Sequence, residues 1–192
     1  MNQKTVGFAM CGSFCTFQKA LLQMRKLVSL GYHVLPIMSQ NAYSTDTRFG
    51  KAVDFISEIE LICGEKIIHT IHDAEPIGPQ KMCDVLTICP CTGNTLAKLC
   101  LGVTDTAVTM AAKSHLRTKG PLVIAAATND ALGASAQNIG RLLNTKSVYF
   151  VPLSQDDPIN KPNSLVAHFD LLPECVEQAL EGKQIQPIFK EI

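Results

Sequence analysis

The sequence predicts an α/β protein of the Rossmann-like kind: three layers, α/β/α, around a mostly parallel sheet of about five or six strands. Three observations carry that expectation. Apolar runs too short for helices, such as Thr5–Met10, Asp84–Cys89 and Pro121–Ala126, recur along the chain, and continuous runs of this kind suit strands buried on both faces. Stretches with apolar residues at helical spacing alternate with them. Gly, Pro, Ser, Thr and Asn mark most of the changeovers, as chain punctuation should.

In order, Thr5 to Met10 reads as the first strand. A glycine-containing turn leads to a helix from about Phe17 to Leu30, with Ala20, Leu21, Met24, Leu27 and Val28 on one face and Gly31 closing it. Tyr32 to Met38 reads as the second strand. Ser39 to Thr47 reads as a polar loop and about Thr47 to Ile62 as a helix carrying Val53, Ile56 and Ile59, ended by Gly64. Lys66 to Ile71 is a short strand candidate, and Ile71 to Gln80, with Pro76, Gly78 and Pro79, is too rich in breakers to be regular. Asp84 to Cys89 reads as a buried strand ended by Pro90, and Thr92 as the cap of a helix from Gly93 to Cys100, stopped by Gly102. Asp105–Leu116 reads as a helix, Pro121–Ala126 as a strand, Gly133–Leu143 as a helix and Ser147–Pro152 as a last strand. A proline-bearing loop, Ser154 to Asn163, then precedes a helix from about Ser164 to Glu181. The 192 residues suit a single domain, with 153–192 packing on the rest.

Composition narrows the function. Forty-six per cent hydrophobic and 18% charged residues describe a chain able to bury a core, not a disordered one. Seventeen basic residues balance 17 acidic ones with no block of like charge, so neither nucleic acid nor an anionic membrane is an expected partner. No apolar run reaches the roughly 18 to 20 residues that span a bilayer, and the N-terminus lacks a secretory h-region. The eight cysteines lie mostly in apolar surroundings without paired Cys-x-x-Cys spacing. They read as buried free thiols in a cytoplasmic protein, with no metal site.

Ligands of doubly wound sheets bind beyond the carboxyl ends of the strands, and three loops there stand out. The first, Met10-Cys11-Gly12-Ser13-Phe14-Cys15-Thr16, puts backbone N–H groups, a glycine and hydroxyls at a helix start, which suits a phosphate. It is neither Gly-x-Gly-x-x-Gly nor a Walker loop, so a mononucleotide fits better than a nicotinamide dinucleotide or a nucleoside triphosphate. An ordinary Gly-Ser turn with Ser13 as a cap accounts for the same residues. The second, Cys89-Pro90-Cys91-Thr92-Gly93-Asn94-Thr95-Leu96-Ala97-Lys98, presents hydroxyl and amide groups at a helix start. The plainer alternative is a Thr cap with a surface Asn and a solvated Lys98. The third, Ala125-Ala126-Ala127-Thr128-Asn129-Asp130, is a run of small residues against which a flat ring could lie, or a plain turn.

Taken together, Gly12-Ser13, Ser39, Pro90 to Lys98 and Ala127-Thr128-Asn129 resemble the flavoprotein superfamily of cysteine decarboxylases and flavin prenyltransferases, over roughly residues 4 to 150. The resemblance implies flavin mononucleotide (FMN) at a site shared between the protomers of a trimer or multiple of trimers. Gly12, Ser13 and Ser39 would hold the phosphate, with Cys11, Pro90 and Gly93 in the same motifs. Thr92, Asn94 and Thr95 would contact the ribityl chain or ring, and Thr128 and Asn129 would close the ring side. The decarboxylases' His-Ile-x-Leu segment is not matched, and Thr128 stands where flavin prenyltransferases tend to carry an arginine. In detail the chain is similar to a branch whose members form pyridine-2,6-dicarboxylate during sporulation, by oxidising its dihydro precursor together with a different partner chain, the synthase's A component, and NADP. That reaction wants a base, for which His72 and then His69 are candidates, although each also reads as a structural or exposed histidine. The two substrate carboxylates want cations, for which Arg48 and Arg141 are candidates.

Overall fold

The computed structural model describes residues 3–190. Its elements are β1 (Thr5–Met10), α1 (Phe17–Ser29), β2 (His33–Met38), α2 (Gln40–Ser44), α3 (Ala52–Cys63), α4 (Ile71–Ala74), β3 (Val85–Cys91), α5 (Gly93–Leu101) and α6 (Ala107–Arg117). After them come β4 (Leu122–Thr128), α7 (Ala136–Leu143), β5 (Val148–Phe150), β6 (Leu153–Ser154), β7 (Leu165–Ala167) and α8 (Leu172–Leu180). The strands form one sheet in the order β2-β1-β3-β4-β7-β6, with β5 also paired to β4. Pairings among β1 to β5 are parallel, and β7 joins β4 and β6 antiparallel. The expected α/β architecture is therefore what the chain forms.

Burial explains the order. All seven residues of β3 are buried, which places this most apolar strand at the centre. Pro36, lacking an N–H, is accommodated because β2 is the edge of the parallel portion. Helices α1, α3 and α8 pack together, as do α4, α5, α6 and α7, and the core fills the space between each group and the sheet. Gly64 and Gly102 end α3 and α5 at φ of +68° and +70°, a conformation that costs glycine least. Among the described residues no helix is long and apolar enough to cross a membrane.

Several boundaries differ from the sequence reading, each for a local reason. The loop expected at 39–47 begins with α2, whose residues are too polar to show an apolar stripe but whose N-terminus is capped by Ser39 Oγ, accepting from the Ala42 N–H at 3.3 Å. Helix α3 starts at Ala52, not near Thr47, because Thr47 and Gly50 close a tight turn and Asp46 Oδ1 accepts from the Ala52 N–H at 2.8 Å. The 66–71 strand reduces to one bridge, Ile37 with Ile68. The breaker-rich 71–80 segment still holds α4 and a 3-10 turn, Glu75–Ile77, with Ala74 and Ile77 fully buried. Strand β3 runs through the cis Cys89–Pro90 bond to Cys91 with a register shift against β4. The helix expected from Ser164 is first β7, then a 3-10 turn, and only from Leu172 a helix with Pro173 in its first turn.

Candidate flavin site at the carboxyl edge of the sheet

A cleft of about 430 Å³ opens beyond the carboxyl ends of β1, β2 and β3. Cys11 and Gly12 enter it from β1, and Ser39, Gln40 and Asn41 from the start of α2. Thr92, Asn94, Thr95 and Lys98 come from α5, and Asp105 and Thr106 from the turn before α6. The three strand ends are tied to one another: the Ser39 N–H donates to Met10 O at 3.0 Å and the Cys11 N–H to Pro90 O at 3.2 Å.

The hydroxyls divide into donors and acceptors. Thr92 caps α5, its Oγ1 accepting from the Thr95 N–H at 3.3 Å and lying 3.1 Å from Thr95 Oγ1. Thr95 Oγ1 donates in turn to Cys11 Sγ at 3.2 Å. Both threonine protons are thus committed within the protein, and what Thr92 and Thr95 offer a ligand is lone pairs. Ser39 Oγ accepts its capping bond and keeps its own O–H for the cleft, and the exposed Asn94 amide makes no hydrogen bond among the described residues. Acceptors for a polyol chain and donors for a phosphate are therefore present together. Burial, opposed by the Thr95 bond, pushes the Cys11 thiol up to about 11, so it stays neutral and adds no negative charge beside an anionic group. Lys98 is bonded to Asp105 Oδ2 at 2.8 Å, and holds that carboxyl below the usual carboxylate range.

On the other side of the Cys11–Thr16 segment lies a second cleft, of about 290 Å³. Ser13, Cys15, Thr16 and Lys19 line it from the segment that follows β1, Ala127, Thr128 and Asn129 at the end of β4 form the floor, and Asp156, Lys161 and Val166 line it from the segment between β6 and β7 and from β7 itself. The floor is tied to α5 at Gly93: a Cβ there would lie 2.7 Å from Thr128 Oγ1 and 2.8 Å from Ser135 Oγ. Asp130 Oδ1 accepts from both of those hydroxyls.

The residues singled out in the sequence distribute over these two clefts. Cys11, Gly12, Ser39, Thr92, Asn94 and Thr95 meet in the first; Ser13, Thr128 and Asn129 lie in the second; Pro90 is buried in β3, and Gly93 forms the joint between α5 and the β4 loop. Ser13 makes no side-chain cap, and instead its O and Oγ accept from Thr16 Oγ1 at 2.8 and 3.2 Å. The four polar candidates from other segments stand outside both clefts. His69 is stacked on Tyr43, His72 is exposed on α4, Arg48 is exposed over the Phe49 ring at 4.9 Å, and Arg141 is exposed in the last turn of α7. Sequence reasoning missed Gln40 and Asn41, hidden in an apparent loop, and Lys19, Asp156 and Lys161, which come from an unremarkable helix face and a proline-bearing loop.

A doubly wound sheet with a polar cleft at its carboxyl edge is an architecture that holds nucleotide-like ligands beyond its strand ends, and the chain belongs to the Flavoprotein family, whose model matches residues 1–171. Within that family it is similar over its full length to the B component of dipicolinate synthase of Bacillus subtilis (strain 168), 44% identical over 191 residues, which are 100% of this chain and 96% of that protein. The crystal structure of the B component of dipicolinate synthase from Bacillus halodurans C superposes with a TM-score of 0.90 at 45% identity, covering 100% of this chain and 99% of that one. An FMN-dependent cysteine decarboxylase, SpaF, shares the fold at a TM-score of 0.67 and 21% identity, over 94% of this chain and 97% of that one.

Proposed function

We propose that this chain is the flavin-carrying B component of a dipicolinate synthase, taking part in the oxidation of dihydrodipicolinate to dipicolinate in the mother-cell cytoplasm of a sporulating bacterium. The observation that carries the reading is the 44% identity over the whole chain to the B component of a known dipicolinate synthase. The donor and acceptor layout of the first cleft fits FMN. Ser39, the Gly12 backbone and the Asn41 amide would hold the phosphate, Thr92 and Thr95 would accept from ribityl hydroxyls, and Asn94 would reach the ring. FMN, when bound, supplies a two-electron acceptor for the hydride that leaves the dihydropyridine ring. The chain's residues position the phosphate end, keep Cys11 neutral and exclude water from the floor through the buried ends of β1 and β3. The A component would complete the enzyme and engage NADP. Assembly into trimers or multiples of trimers would cover the exposed Leu101 and Val103 beside the first cleft, 70% and 40% accessible in the single chain.

The deciding experiment combines an absorbance titration with FMN and a turnover assay of the chain reconstituted with the A component. Stoichiometric flavin and dihydrodipicolinate-dependent turnover, both lost in Ser39→Ala and Asn94→Ala, are expected. A protein that refuses FMN while the reconstituted pair turns over would overturn the flavin assignment and leave an assembly role. Carbon dioxide release from a cysteinyl or aromatic acid would move the chain among the decarboxylases.

A further inference from the structure

We infer, on the dicarboxylate reading of the function, that the second cleft binds the two carboxylates of the substrate, and that Lys19 and Lys161 are the cations that receive them.

Charge selects the place. Lys98, paired with Asp105 at 2.8 Å, belongs to the first cleft, and Arg48 and Arg141 line neither cleft. Lys19 and Lys161 are the two cations that line the second cleft. Lys19 makes no ion pair among the described residues. Lys161 Nζ is 3.1 Å from Asp156 Oδ2, while Asp156 Oδ1 accepts from the fully buried Ser164 at 2.7 Å. The carboxylate is therefore anchored and fixes one N–H of the ammonium, leaving two for a ligand. The loop is braced further by Gln155 Nε2 donating to Pro162 O at 2.8 Å and by the Asn160 N–H donating to Asp157 Oδ1 at 3.0 Å. With two lysines and one aspartate the cleft carries a net charge of +1, supplemented by neutral donors at Ser13 and Asn129. Ammonium groups from two separate segments, α1 and the chain between β6 and β7, suit an anion with two separated carboxylates better than one compact anion.

Shape and surroundings agree. A volume of about 290 Å³ is close to the lower bound, roughly 300 Å³, of small-molecule sites, enough for a single aromatic ring. The adjoining groove between α1 and β7 also contains Lys19, but adds Asp170 to Asp156, and those two carboxylates repel an anion. Gly12 and Ser13 are consecutive residues facing the first and the second cleft respectively, so a ring held here would adjoin the flavin site across one strand of backbone.

Cys15, the one exposed cysteine, lines this cleft and supplies a probe independent of turnover. Alkylation of Cys15 by iodoacetamide, followed by mass spectrometry, would be compared in pyridine-2,6-dicarboxylate, pyridine-2-carboxylate, inorganic phosphate or buffer alone. The dicarboxylate is expected to slow the reaction several-fold in the native protein, beyond either other anion, and not in Lys19→Ala/Lys161→Ala. In the reconstituted enzyme each single variant is expected to raise KM about tenfold, as befits a lost charge-assisted bond, with the FMN titration in place. Absence of protection, equal protection by phosphate, or protection that survives the double variant overturns the inference even where flavin binding and turnover stand. Protection without flavin or turnover supports the cleft and instead removes the functional reading on which it was built.

Discussion

His69 and Tyr43 lie face to face, ring centroids 3.8 Å apart and planes within 4° of parallel. Tyr43 belongs to α2, whose first turn carries Ser39, Gln40 and Asn41 into the first cleft, and the His69 Nδ1 is 3.2 Å from Ile67 O. The stack therefore holds α2 against the segment beside β2, which makes His69 a positioning residue. An aromatic pair of this kind is worth about 1 kcal/mol. His69→Ala is expected to weaken FMN binding about fivefold in a fluorescence titration, and His69→Phe to restore it. A Phe variant that binds flavin normally but has lost turnover would instead make His69 the base.

Thr92 and Asn94 separate folding from binding. Thr92 caps α5 and Asn94 makes no internal hydrogen bond among the described residues. Thr92→Ala should lower stability by about 1 kcal/mol, as loss of a cap does, and weaken flavin binding as well. Asn94→Ala should leave the melting temperature in place and affect flavin alone. Equal melting temperatures for the two variants would contradict the capping role.

Two glycines make a contrast of opposite sign. At Gly93 a Cβ would come within 2.9 Å of three oxygens, on Thr128, Ser135 and Asp130, whereas at Gly140, inside α7, it would meet nothing within 4 Å. Gly93→Ala is expected to cost about 1–3 kcal/mol through overpacking, and Gly140→Ala to stabilise by about 0.5–1 kcal/mol through helix propensity. Thermal denaturation of both variants checks the pair; a neutral Gly93→Ala would mean that the joint between α5 and the β4 loop yields freely.

His115 sets the pH dependence near neutrality. The residue is 3% exposed, with Nε2 3.1 Å from Pro121 O and Nδ1 3.6 Å from Cys83 Sγ, and burial holds its pKa below 6.5. The unfolded chain takes up this proton near pH 6.5 while the folded one does not, so the contribution is complete above that pH and is lost as pH falls toward the depressed value. The melting temperature should decline between about pH 7 and pH 5, with a shallower slope in His115→Gln. An unchanged slope in the variant would place the titration elsewhere.

The sheet was readable from sequence because its signal is local. Thr5–Met10 is predicted and observed with the same bounds, and the parallel strands are predominantly apolar runs whose burial needs no knowledge of partners. The antiparallel pair β6 and β7 was not, since Leu165–Ala167 is too short to show alternation and is separated from α8 only by a 3-10 turn. The first cleft was readable through its hydroxyl and amide residues at strand ends. Lys19 and Lys161 were not, because a lysine on a helix face and one in a polar loop look like any solvated charge until the fold brings both to the lining of one cleft.

Strand β4 is shared end to end: Leu122–Ile124 pair with β5, and Ala127–Thr128 with β7. The chain that departs after β5 thus returns to the same strand nearer its carboxyl end, with the 156–161 segment slung between the two attachments. Change in the length or charge of that segment would alter what enters the second cleft while the strand beneath stays paired at both ends. The fold separates a fixed floor from a replaceable rim, an arrangement in which new substrates can be tried without remaking the cofactor's seat.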